Sequence, residues 1–313
     1  MFRYIQIEAP RRAAMIEAPS PATGPDQALV ETTLTGISTG TERMWFEGSA
    51  GALRSGRRSY PYAPGYALVG HVVAAGPDFA GAAIGTRVFA MKPHASHAII
   101  APDDLWCRMA PELSDEDALG IALTATALHT VDRASLAAGD AAAVAGIGMF
   151  GAILVQVLAA TVGGPVTAVT RNPEKRVRGA AAVRSYGDVD PAIGTWFECS
   201  GAADNVARLA DMTGPRGKIV LAGSYTSPIA LDGEPIFANE LTIAGARSIG
   251  DGADRRRNFE RAAALVENGK VRIRDLVTHR FAAEDFRDAY RLIAARAPDT
   301  MQICLDWRAQ GFR

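Results

Sequence analysis

Gly146, Gly148 and Gly151 stand at the spacing G-x-G-x-x-G, directly after the apolar run AAAVA and directly before the helix-compatible FGAILVQVLAA. Strand, glycine turn, then helix is an order that can hold a pyrophosphate. The first glycine permits the tight turn, the second removes a Cβ where backbone must approach phosphate, and the third lets the helix pack closely on the strand. The N–H groups at the head of that helix are free to meet phosphate oxygens, and the helix dipole favours negative charge there. Gly146, Gly148, Met149, Phe150 and Gly151 are therefore the expected dinucleotide loop. The next apolar strand, Val166 to Thr170, ends where an acidic residue about 20 positions beyond the loop would accept hydrogen bonds from a ribose 2′-hydroxyl. Thr170, Arg171, Lys175 and Arg176 stand there instead, and a cationic group pairs with a 2′-phosphate. NADP(H) is the favoured cofactor, with NAD(H) the alternative.

Other groupings could also do chemistry. His94 and His97 lie three apart in KPHASHAII, a spacing that shares a metal on a helix. Here the text reads as a turn into a strand without a nearby carboxylate or thiol, so no metal is expected, and His94 is carried as an acid/base candidate. Arg54, Arg57 and Arg58 share the loop GALRSGRRSYPY and could clamp an anionic substrate group, or be solvated surface charge. Gly36 to Gly40 reads G-x-S-x-G, the nucleophile elbow of α/β-hydrolases. That elbow needs a parallel-sheet strand before it and a helix after it, and this one precedes any βα alternation.

These residues need elements to hold them. Short strands punctuated by Gly and Pro are expected at Ala28 to Leu34, Leu68 to Ala74, Arg87 to Ala90 and His97 to Ile100. From Asp117 the text alternates apolar strands with helices, which indicates a parallel sheet. Its strands are expected at Ala141 to Ala145, Val166 to Thr170, Trp196 to Cys199, Lys218 to Ala222 and Leu241 to Ala244, with helices including Phe150 to Thr161, Pro173 to Ala182 and Asp204 to Met212. The 313 residues suggest two domains. With 33 Lys+Arg against 34 Asp+Glu, the net charge of -1 gives no global basic field for nucleic acid or an anionic membrane. Three widely separated cysteines fit a reducing compartment and cannot build a four-thiolate zinc lobe. No apolar signal core is seen at the start, and a cytoplasmic location is expected.

Several segments carry a family resemblance. GISTGTE (Gly36 to Glu42), PGYALVGHVVAAG (Pro64 to Gly76), IGTRVFA, FECSG (Phe197 to Gly201), RGKIVLAGSY (Arg216 to Tyr225) and ELTIAGA (Glu240 to Ala246) resemble, in that order, segments of the medium-chain dehydrogenase/reductase superfamily. Within it, GISTGTER followed by a Trp, YPYAPGYALVG, ALTATALHTV, VLAGSYTSPI, LVTHR and LDW resemble the 3-hydroxyethyl bacteriochlorophyllide a dehydrogenase group. The resemblance implies a GroES-like β-rich substrate domain over 1–120, joined by 251–313. It also implies a Rossmann doubly wound parallel sheet over 121–250. Cys199, Ser200, Gly223 and Ser224 fall in its cofactor-facing sheet segments, and the superfamily implies a homodimer formed by sheet extension.

Zinc members of the superfamily take a Cys from the first segment and a His-Glu pair from the second. Here Ser38 or Thr39, Tyr66 and Ala67 occupy those places, so a zinc-independent member is expected. Side chains must then polarise the substrate oxygen and move its proton. Tyr66 takes the lost ligand position, Thr41 matches the relay hydroxyl and Glu42 the acid beside it; packing and turn roles are the alternatives. The expected activity is hydride transfer between a nicotinamide and a secondary alcohol/ketone, on a small-molecule substrate of bulky tetrapyrrole type. An NADPH-dependent reductase of an activated C=C bond or quinone, and a non-catalytic dinucleotide-binding protein, are the alternatives.

Overall fold

The computed structural model describes residues 1–171, 176–189, 193–297 and 300–308. The chain forms two compact units, Met1–Ala122 with Arg272–Arg313, and Leu123–Val271.

In the first unit, β1 (Phe2–Ala9) and β2 (Arg12–Ala18) form an antiparallel hairpin that the sequence reading did not anticipate. Its turn is made by Arg11 in the left-handed region, φ 60, so the usual Gly or Asn signal is missing. There follow β3 (Ala28–Ile37), α1 (Thr41–Glu47), α2 (Gly51–Arg54), β4 (Leu68–Ala75), β5 (Arg87–Ala90), β6 (His97–Ile100), β7 (Trp106–Arg108) and α3 (Asp115–Ala118). Strand β3 is the centre of this sheet: one half pairs with both β4 and β6, and its apolar residues Ala28 and Val30 are buried against Leu68, Val72, Val88 and Ile100.

Helix α4 (Ile121–Ala134) leads into the second unit. There β8 (Ala142–Ala145), α5 (Met149–Thr161), β9 (Val166–Val169), β10 (Ala182–Arg184), β11 (Thr195–Glu198), α6 (Ala203–Met212), β12 (Lys218–Leu221), α7 (Gly233–Ala238) and β13 (Thr242–Gly245) alternate. The strands are parallel in the order β10-β9-β8-β11-β12-β13. Counted within the unit this is the doubly wound order 3-2-1-4-5-6, whose switch point lies between the carboxyl ends of β8 and β11.

Two expectations need correction. The described part of the expected helix at Pro173 to Ala182 is a turn running into β10, with Gly179 at φ +86 packed against the backbone of α5 at Gln156. Helix α8 (Ala253–Glu267) belongs to the second unit and not with the C-terminal return. It buries Phe259, Ala262 and Val266, Asn258 Nδ2 donates to Ile249 O at 3.1 Å, and Arg261 pairs with Asp132 at 2.8 Å.

The chain re-enters the first unit at Arg272 and adds β14 (Val277–Ala282), α9 (Phe286–Ala294) and β15 (Gln302–Asp306). Asp117 fixes the re-entry by accepting the N–H groups of Ile273 at 2.8 Å and Arg274 at 2.9 Å. Strand β15 pairs antiparallel with β3, and Trp307 Nε1 donates to Thr35 Oγ1 at 3.0 Å. The fold class is a Rossmann parallel sheet with a GroES-like β-rich domain completed by the C-terminal segment. Among the described residues no helix is long and apolar enough to cross a membrane.

Candidate active site

In the Rossmann unit the glycine loop lies at the switch point. Gly146, φ +94, turns the chain beside Ser200, and a Cβ on Gly151 would stand 2.1 Å from Gly146 O. A Cβ on Gly148 would meet nothing within 4 Å. Gly148 caps α5 without a side-chain hydrogen bond, and Met149, Phe150 and Gly151 form its first turn, where N–H groups lack intrahelical acceptors. The three glycines thus differ: two are required by packing, and one faces open space at the head of a helix. Gly151→Ala is expected to lower the melting temperature. Gly148→Val should leave it near wild type and abolish dinucleotide binding, a pair of outcomes readable by calorimetry and cofactor fluorescence.

A carboxylate that the sequence reading overlooked organises the opposite lip. Glu198, buried at the end of β11, accepts Ser200 N–H at 2.9 Å, Gly201 N–H at 3.1 Å, the Ser200 hydroxyl, and the Tyr225 hydroxyl at 2.5 Å. Its backbone carbonyl takes the N–H of Gly223 at 2.9 Å. Glu198 therefore ties together the FECSG and AGSY turns, and with them Cys199, Ser200, Gly223 and Ser224. Desolvation and then Glu198 push the Cys199 thiol well above its ordinary pKa, so it is no nucleophile. An acid inside the apolar strand TWFEC was the available signal.

At the end of β9, Thr170 is half-buried and Arg171 exposed. The ring of Tyr186 carries the Arg208 guanidinium 5.0 Å from its centroid. Burial raises the Tyr186 pKa, Glu198 adds to the rise, and Arg208 and Arg171 oppose it. Arg171 is thus one of two cations near this phenol. Lys175 lies outside the described residues.

In the first unit, a polar cluster joins the β3–α1 turn and the start of α1 to the segment that precedes β4. Tyr66, partly exposed, hydrogen-bonds through its phenol to the side chains of Ser38 and Thr41. Burial pushes its pKa up to about 12; the Ser38 bond opposes the rise, the Glu42 charge adds to it and the Thr41 bond opposes it. Beneath lies a fully buried trio. Glu42 accepts Ser38 N–H at 2.8 Å on Oε1, and on Oε2 it meets His94 Nε2 at 2.9 Å and the Tyr290 hydroxyl at 2.8 Å. A proton on His94 Nε2 completes that bond, whereas one on Nδ1 would find no acceptor.

Glu42 and His94 were expected as catalytic groups. Both are buried and bonded to each other beneath Tyr66; Tyr290, on α9, is a third member that the sequence reading missed. His97 does not converge with His94: it is half-buried, with Nδ1 3.0 Å from Ser96 Oγ. Arg54, Arg57 and Arg58 are exposed on α2 and the loop after it, Arg57 Nε donating to Ser55 Oγ at 3.0 Å. Among the described residues no three His, Cys, Asp or Glu side chains are grouped so as to hold a metal ion.

The chain is 31% identical over 309 residues to the 2-desacetyl-2-hydroxyethyl bacteriochlorophyllide A dehydrogenase of Cereibacter sphaeroides, covering 91% of this chain and 92% of that one. It belongs to the medium-chain dehydrogenase/reductase superfamily. The enzyme class is that of an oxidoreductase of this superfamily. Solved structures share the fold: a protein of Sinorhizobium meliloti 1021, described as a zinc-binding dehydrogenase and bound to NADP, matches with a TM-score of 0.81 at 21% identity over 98% of this chain and 99% of that one. A protein of Escherichia coli CFT073, described as a short chain alcohol dehydrogenase and complexed with NADH, matches with a TM-score of 0.81 at 18% identity, over 98% and 99%. No family model matches the chain.

Proposed function

We propose that this medium-chain oxidoreductase interconverts a secondary alcohol and its ketone by hydride transfer, prefers NADP(H), and works without catalytic zinc. The observation that carries the reading is the Tyr66 phenol, bedded on Ser38 and Thr41 and kept protonated by burial and by the Glu42 charge. A nicotinamide, when bound, supplies or accepts the hydride. The residues of the Rossmann unit that would hold it are Gly146, Gly148 and the first turn of α5 for the pyrophosphate, with Thr170 and Arg171 at the ribose.

Tyr66 does the remaining work. As the carbonyl carbon gains hydride, the carbonyl oxygen gains negative charge and takes the phenolic proton. The tyrosinate regains a proton through the hydroxyls of Ser38 and Thr41. In oxidation the proton leaves the alcohol along the same hydroxyls. Because the phenol titrates at about 12, reduction is expected to stay level from neutral pH until strongly alkaline pH, and oxidation to climb through the same range. Paired pH profiles of the two directions check this; a reduction rate that halves near neutrality would contradict it.

The donor set supports the zinc-free part of the reading. Ser38, Thr39, Tyr66 and Ala67 offer no imidazole, thiolate or carboxylate, and Glu42 and His94 are engaged with each other in the interior. The preference for NADP(H) is supported by Arg171 where a carboxylate would otherwise take the ribose. Arg171→Ala should weaken NADPH roughly ten- to hundredfold, the range for hydrogen bonds to a charged group, and leave NADH unchanged in a fluorescence titration.

The similarity to a bacteriochlorophyllide dehydrogenase supports a bulky tetrapyrrole whose 1-hydroxyethyl group is the secondary alcohol and whose acetyl group is the ketone. The homodimer that the superfamily implies would form along β13, the edge of the parallel sheet; Phe237, on α7 just before it in the chain, is 83% exposed.

A further inference from the structure

Helix α1 presents more than Thr41 and Glu42. Thr41 and Trp45 are four residues apart and share one face, so the indole stands one turn along from a hydroxyl that contacts Tyr66. Trp45 stacks on Tyr62 with ring centroids 3.9 Å apart and planes inclined by 10°. Both rings pack against the core cluster that contains the buried Phe46, and both remain partly exposed. The Tyr60 hydroxyl donates to Trp45 O at 2.5 Å, and Tyr62 exchanges backbone hydrogen bonds with Ile7, so both stacked residues are held by their own backbones.

Charge is arranged around the same pair. Tyr62 feels the buried Glu42 carboxylate, which raises its pKa, and Arg58, which lowers it; its hydroxyl also acts on Tyr66. One ring therefore reaches from the proton-donor cluster toward an exposed guanidinium. Among the described residues no carboxylate pairs with Arg58, so an exposed cation borders the aromatic pair beside the Tyr66 cluster. Covering the core needs neither coplanar rings nor an unpaired cation beside them. A planar conjugated ring bearing a carboxylate uses both, by offset stacking and by charge-assisted hydrogen bonds.

We propose that Trp45 and Tyr62 are specificity-determining residues, forming the platform on which a planar, carboxylate-bearing macrocycle stacks while Arg58 takes its carboxylate. This rests on the reading of Tyr66 as the group facing the substrate oxygen, and it selects flat conjugated substrates over compact aliphatic alcohols.

The test is equilibrium binding of chlorin e6 and of its trimethyl ester to the full chain, followed by chlorin fluorescence, with folding of each variant checked by circular dichroism. Trp45→Ala should weaken chlorin e6 at least tenfold, and Trp45→Phe, which keeps a flat ring, should recover most of that loss. Arg58→Ala should weaken the acid at least fivefold and the ester hardly at all. If Trp45→Ala does not fold, the Trp45→Phe and Arg58→Ala arms and the acid-to-ester ratio of the wild type decide. Equal affinity of acid and ester, or affinity untouched by both Trp45→Ala and Arg58→Ala, would overturn the platform, as would failure of the wild type to bind the chlorin. Tyr66→Phe separates the two readings: it should bind chlorin e6 normally while losing turnover, so a failure of the platform leaves the proton-donor reading standing and the reverse also holds.

Discussion

Replacing Tyr66 with phenylalanine is expected to lower the turnover of both ketone reduction and alcohol oxidation by about 10²- to 10⁴-fold, the range for removing a positioned general acid/base. The substitution removes one hydroxyl and keeps the ring, so the fold and dinucleotide affinity should be unchanged. The reason is local: Tyr66, partly exposed just before β4, is the phenol to which the side chains of Ser38 and Thr41 are bonded. Steady-state rates in both directions, with NADPH titration as the control, check the expectation. Turnover within a few-fold of wild type would mean that another group or water moves the proton. Thr41→Val should give a smaller loss, since Ser38 still contacts the phenol.

The second large effect concerns stability. Glu42→Ala leaves the His94 ring N–H, the Tyr290 hydroxyl and the Ser38 N–H without their acceptor in a buried site. Leaving such groups unpaired, and breaking a buried pair one-sidedly, destabilises by about 3–5 kcal/mol. Glu42→Gln should be milder, because the amide oxygen can still accept one or two of these donors. Urea unfolding monitored by tryptophan fluorescence reads the difference. An unchanged midpoint for Glu42→Ala would show that the trio contributes little to holding α1 against α9 and the His94 loop.

Local signals in the sequence were enough for the parallel sheet. The glycine loop and the apolar runs of β8, β9, β11, β12 and β13 lie within a residue or two of their expected places; for the inner strands β8, β9, β11 and β12, burial within a parallel sheet leaves a continuous apolar signature. The β1–β2 hairpin escaped because a left-handed Arg11 makes its turn. The stretch ending at Ala182 was expected as a helix from its composition, and tertiary contact of Gly179 with α5 decides otherwise where the chain is described. The candidate site was legible in part. Tyr66 and Thr41 followed from family position and stand together. Tyr290 joins Glu42 across 248 residues, and no periodicity or spacing rule connects positions so distant. Glu198, an acid within an apolar strand, stood in plain view inside FECSG, but the donors that give it its role, Ser200, Gly201 and Tyr225, become visible only once the turns are built. Glu42 and His94 have residue types suited to acid/base work; their burial against each other and Tyr290 is what the sequence does not display.

The most direct test of the central claim uses NADPH carrying deuterium at C4 of the nicotinamide, the chelator-treated full chain, and a chlorin bearing an acetyl group. Metal content is measured on the same sample. The account predicts that deuterium arrives at the carbinol carbon of the 1-hydroxyethyl product at a rate independent of residual or added zinc. A product without the label, or a rate that disappears with the metal and returns with added zinc, would contradict it.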